Sequence, residues 1–151
     1  MATLNEYQAA LQAHHLCIAD EEAATGRVSV DWLGQPKPYP GNYAVTYRVE
    51  GTSRQLAVRC FHREPDDIER RYSFIVPAVR ALRLEGVQWC QFRRKGVYAG
   101  GTWNPAVLMP WVPGLRINDA LKHDASFTRV RGIRSGFRRL IADLEAAGIS
   151  H

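Results

Sequence analysis

Arg59 is the residue with the clearest chemical potential in this chain, a single cation in the middle of the otherwise apolar run from Gln55 to Phe61, in a hairpin opened by Gly41. The other reactive side chains lack company. Cys17, Cys60 and Cys90 are isolated, with no C-x-x-C pair and no histidine at metal-ligand spacing, so reduced and mostly buried thiols are expected. His14 and His15 are adjacent and would point to opposite sides of a helix, which is poor geometry for a shared metal. Arg129, Arg131, Arg134, Arg138 and Arg139 could form a phosphate-binding stripe for nucleic acid. Beyond Phe137, which falls on the apolar face, they have no interleaved aromatic ring to stack a base. A solvated helix face is therefore expected, and nucleic acid is not.

The elements that position Arg59 follow from periodicity. Tyr43, Val45, Tyr47 and Val49 alternate with Ala44, Thr46 and Arg48, the period of a half-buried strand. A turn at Glu50 to Ser53 reverses the chain, and a second strand sends Leu56, Val58 and Cys60 to one face and Ala57, Arg59 and Phe61 to the other. Before this hairpin, Thr3-Leu4-Asn5-Glu6 has the pattern of a capping box with Leu4, Tyr7 and Leu11 at helical spacing behind it. Arg27 to Trp32 alternates as a short strand, and Gly34, Pro36, Pro38, Pro40 and Gly41 then exclude regular structure. After it, Asp66 or Asp67 could cap a helix to about Leu82, with Ile68, Tyr72, Ile75 and Val79 on one face and Pro77 interrupting it. Val87 to Phe92 and Gly96 to Tyr98 are expected as two strands, followed by a turn at Gly100-Gly101. From Phe127 to Ala147, Val130, Ile133, Phe137, Leu140, Ile141 and Leu144 recur at three and four residues, an amphipathic helix of about 20 residues that Gly148 would cap.

Composition sets the outer limits. A chain of 151 residues with 46% hydrophobic residues suits one soluble domain with a real core. No apolar run approaches a membrane span and no signal peptide is recognisable, so a cytoplasmic protein without membrane contact is expected. The net charge of +5 permits acidic partners without requiring them.

In order and spacing these features resemble a protein kinase domain of the eukaryotic type. Gly41-Asn42-Tyr43-Ala44 matches the later part of its glycine-rich loop, with Tyr39 and Ala44 standing where two further glycines belong. Ala57-Val58-Arg59 matches the V-A-I-K strand, with arginine for lysine. Met109 falls where the gatekeeper sits and Pro110-Trp111-Val112 where the adenine-binding hinge does, fifty residues beyond Arg59. Pro110 still offers a carbonyl and Val112 an N–H. Leu144, Gly148, Ile149 and His151 fill Leu-x-x-x-Gly-Ile-x-His, the segment that leads into the catalytic loop, so His151 would be the histidine of H-x-D.

The resemblance implies an α+β fold: a small antiparallel sheet with a packed helix, followed by the long C-terminal helix. It divides the chain into an N-terminal extension (1–35), a small lobe with hinge (36–114) and the start of a large lobe (115–151). It implies nucleotide binding, with ATP and magnesium as cofactors. Thr46, Ala57 and Met109 would wall the adenine, Val112 would donate to it, Gly41 to Ala44 would lie over the phosphates and Arg59 would contact them. Glu69, ten residues beyond Arg59, is the available ion-pair partner for it. The catalytic aspartate, the metal-holding asparagine and the D-F-G segment of the family have no counterpart among these residues. The expectation is an incomplete kinase-like domain, competent for phosphotransfer only with the missing lobe, or else an inactive pseudokinase-like or interaction module. Six large apolar residues on the final helix predict association with the missing lobe or self-association through residues 127–147. Light scattering of the isolated chain should give a mass above that of a monomer; a clean monomer with no dye-detectable apolar surface would contradict this.

Overall fold

The computed structural model describes residues 1–63, 67–82, 88–146 and 148–149. The chain forms two compact units, one of residues 1–76 and 88–111, the other of residues 77–87 and 112–151. The class is α+β, as the sequence predicts.

In the first unit, helix α1 (Leu4–Gln12) begins where expected. The Thr3 hydroxyl accepts from the Glu6 N–H, and the Glu6 carboxylate accepts from the Thr3 N–H at 2.7 Å, which holds that carboxyl below its usual pKa. Helices α2 (His14–Cys17) and α3 (Glu21–Thr25) follow, the latter capped by Asp20, whose carboxylate accepts from the Ala23 N–H. The described strands form one antiparallel sheet: β1 (Arg27–Val28), β2 (Pro38–Pro40), β3 (Ala44–Glu50), β4 (Gln55–Phe61), β5 (Gln91–Ala99) and β6 (Thr102–Pro110). Their order is β1-β3-β4-β6-β5, with β2 also on β3. Pro38 and Pro40 have no N–H to donate, so β2 suits an edge. Helix α4 (Ile68–Leu82) connects β4 to β5 in sequence and carries Pro77 within it.

Alternation along the strands produces two differently covered faces. Val45, Tyr47, Val49, Leu56, Val58, Cys60, Val97, Ala106 and Leu108 form a core with Tyr7, Leu11, Ile18, Ala23 and Val28. Each fully buried valine or leucine there contributes roughly 1.5–3 kcal/mol. Burial pushes the Tyr7 and Tyr47 phenols and the Cys60 thiol up, so none of them is ionised in the core. The opposite face carries a smaller cluster of Ala44, Phe61, Ile68 and Val107, with Tyr72, Cys90, Phe92 and Met109 packed against it. The N-terminal segment from Ala2 to Val28 is thus built into the same core as the sheet.

The two strands expected over Val87 to Phe92 and Gly96 to Tyr98 are, in the described residues, one strand with a register shift between Arg93 and Val97. Gly96 permits it because the neighbouring strand comes close: a Cβ there would lie 2.5 Å from that of Ala106. Val87 lies outside the described residues.

The second unit contains α5 (Ile117–His123) and α6 (Phe127–Ala146). Gly148 has φ +72° and its N–H donates to the Glu145 carbonyl, so the expected glycine cap is formed. No residue of α6 is buried, and Phe127 is 80% exposed. Ile117, Leu121, Val130, Ile133, Arg134 and Phe137 line an apolar cavity of about 290 Å³. No described helix is long and apolar enough to cross a membrane.

Asn104 is the one buried polar side chain among the described residues, 2% exposed. Its amide accepts from the Ala2 N–H at 3.0 Å and donates to the carbonyls of Ala99 and Thr102 at 2.9 Å, tying the N-terminus to the β5–β6 turn. Asn104→Ala leaves those groups unpaired and should lower unfolding free energy by roughly 2–4 kcal/mol. Denaturant unfolding measures this; a loss below about 0.5 kcal/mol would show that the tie carries no weight.

Candidate functional site

Pairing with both neighbours decides what β4 presents. Ala57 sits opposite Arg48 of β3 and Met109 of β6, Arg59 opposite Thr46 and Val107, and Phe61 opposite Ala44. Directly opposed residues in an antiparallel sheet project to the same side. Ala44, Thr46, Ala57, Arg59 and Met109 therefore share one face, the one bearing Ile68 and Tyr72 of α4.

Arg59 is half-buried there, its guanidinium 5.6 Å from the centre of the Phe61 ring. No carboxylate among the described residues lies within ion-pair distance of it. Tyr72 stacks on Phe92 at 5.4 Å; burial pushes its phenol up, and the positive charge of Arg59 opposes that rise. A half-buried cation without a counter-charge among the described residues, beside small and apolar neighbours, is chemically equipped to receive an anion.

At one end of the face, residues 41–43 turn between β2 and β3. The Gly41 N–H donates to the Ala44 carbonyl at 2.9 Å. An imidazole nitrogen of His62 lies 3.1 Å from the Gly41 carbonyl, and the backbone N–H groups of His62 and Arg63 donate to Tyr43. The turn is therefore pinned to the end of β4. Asn42 and Tyr43 are exposed.

At the other end, Pro110 stands opposite Leu56, and the Trp111 N–H donates to the Gln55 carbonyl at 2.9 Å. The Trp111 ring packs on Tyr39 at 4.8 Å, with the Arg48 guanidinium 5.8 Å from its centre. Arg48 also pairs with Glu50 at 3.3 Å, and its buried Nε has no hydrogen-bond partner. Sequence reasoning missed this stack. Its one signal was alternation, which put Arg48 on the side of Thr46. Val112, 60% exposed, belongs to the second unit.

The expected Arg59–Glu69 pair is not formed. Glu69 lies in the exposed first turn of α4 and is taken by Arg94 of β5, whose Nε donates to it at 3.1 Å and whose terminal nitrogen donates to its other oxygen. Ten residues of separation leave Glu69 at the helix start, where a strand arginine reaches it first. His151 lies outside the described residues. Among them, no three histidine, cysteine, aspartate or glutamate side chains gather as metal ligands. Comparison with protein-family models, with curated proteins and with solved structures returns no match.

The Glu69–Arg94 pair is solvent-exposed on both sides, at 54% and 74% of the side chains. Glu69→Ala should change unfolding free energy by less than about 1 kcal/mol. Thermal unfolding tests this, and a larger loss would mean that Glu69 has a partner more important than Arg94.

Proposed function

We propose that this chain is an incomplete protein kinase-like domain that binds a nucleotide on the face of Thr46, Ala57, Arg59 and Met109. The observation that carries the reading is the three-strand register around β4, which gathers residues from separate strands behind a half-buried guanidinium that has no ion-pair partner among the described residues. Thr46, Ala57 and Met109 would wall the base, Gly41 to Ala44 would cover the phosphates, and Arg59 would grip them. The pinned turn limits the ordering cost of binding.

ATP fits this donor set through its phosphates. The chemistry it supplies is transfer of its terminal phosphoryl group. Magnesium has no assembled ligand set among the described residues. What the chain's own residues do is bind and orient: Arg59 offers a fixed fork of donors in place of a lysine point charge. Phosphotransfer belongs to the reading only together with the missing lobe.

The second reading, a pseudokinase-like or interaction module without nucleotide, is favoured by two observations. Glu69 is committed to Arg94, and Trp111 with Tyr39 and Arg48 already covers the hinge end of the face.

A thermal-shift titration with ATP and magnesium separates the two. The nucleotide reading predicts a rise in Tm of about 2–5 °C near saturation. Arg59→Ala should weaken the apparent affinity at least tenfold by removing charge-assisted hydrogen bonds. No shift in either protein retires the nucleotide site in favour of the module.

A further inference from the structure

We infer that Arg131, Arg134 and Arg138 of α6, with Ser135, form a binding site for a soluble polyphosphate anion. This goes beyond the nucleotide reading, which concerns Arg59 and a different unit. The three arginines stand at i, i+3 and i+7, so their side chains leave the helix on one side, along about 10 Å of its axis. Together with Ser135 they line an open surface groove of about 260 Å³.

Their lack of counter-charges among the described residues marks them out. Arg116 and Arg129 of the same unit are matched by Asp119 at 2.8 Å and Asp124 at 3.0 Å. None of the three ridge arginines makes an ion pair or hydrogen bond among the described residues. Like charges three and four residues apart on a helix repel. An anion carrying negative charge repeatedly along its length relieves that repulsion and accepts from each guanidinium fork.

The length of the ridge selects the ligand. Three guanidinium forks spaced along about 10 Å of helix suit a chain of phosphoryl groups, which can offer an oxygen to each of them. No aromatic ring lines this groove, so it offers nothing to stack a nucleic-acid base.

Isothermal titration calorimetry of the full chain with sodium tripolyphosphate tests the site. The wild type should bind, and raising monovalent salt from about 50 to about 200 mM should weaken binding roughly tenfold. R131Q/R134Q/R138Q should bind at least tenfold more weakly, with its helix content checked by circular dichroism. Arg134→Gln alone should weaken binding several-fold, and it carries the test if the triple variant does not fold. Arg129→Gln should bind as the wild type does, because Asp124 already holds that side chain. Arg59 is itself proposed to grip phosphates, so the titrations are repeated in Arg59→Ala, where tripolyphosphate should still bind and the ridge substitutions should still weaken it. Failure here is then distinct from failure of the nucleotide face. No binding heat, an unchanged affinity in the ridge variants, or loss of all binding in Arg59→Ala would overturn the proposal. So would retention by anionic vesicles or nucleic acid without any response to tripolyphosphate.

Discussion

The double pairing of β4 is the constraint on which the first unit depends. It lies between β3 and β6, and each of its residues from Leu56 to Cys60 is fixed against partners on both sides. A strand held from both edges cannot slip by one residue without exchanging its faces. A slip would send Leu56, Val58 and Cys60, all nearly inaccessible to solvent, out of the core and drive Arg59 into it. The hydrophobic cost of that exchange locks Arg59 to the side opposite the main core. The position of the cation follows from burial of its neighbours.

The same constraint explains how the N-terminal residues contribute to a site they do not touch. Tyr7 and Leu11 of α1 cover the core face, and the Tyr7 hydroxyl donates to the Phe61 carbonyl at 2.8 Å. By occupying that face, Tyr7, Leu11, Ile18, Ala23 and Val28 leave the other to α4 and Arg59. Glu22 reinforces the hairpin from outside. It accepts from the Ser53 hydroxyl and the Arg54 guanidinium across the β3–β4 turn, and these bonds hold its carboxyl below the usual glutamate range.

Much of this arrangement was legible in the sequence because it depends on strict local periods. The alternation of β3 and β4, the Thr3 capping box, the stripe of α6 and the Gly148 cap are short-range patterns with one physical solution. Contacts set by which strands become neighbours were not legible. Nothing local says that Arg94 will lie beside the start of α4 and claim Glu69, or that Trp111 will fold onto Tyr39 and Arg48. The continuity of β5 was hidden as well, because Arg93, Arg94 and Lys95 interrupt the apolar pattern between the two expected strands. Of the candidate site, the residues that alternation places on one face were foreseeable, and the partners of its charged groups were not.

The central proposal is that the Arg59 face receives the nucleotide. Backbone amide chemical shifts recorded across the whole chain during titration with an ATP analogue test it most directly. The account predicts that the largest changes fall at Gly41 to Ala44, Thr46, Ala57, Arg59 and Met109. Changes confined to α6 or to the Tyr7 and Leu11 side of the sheet, or no changes at all, would contradict it.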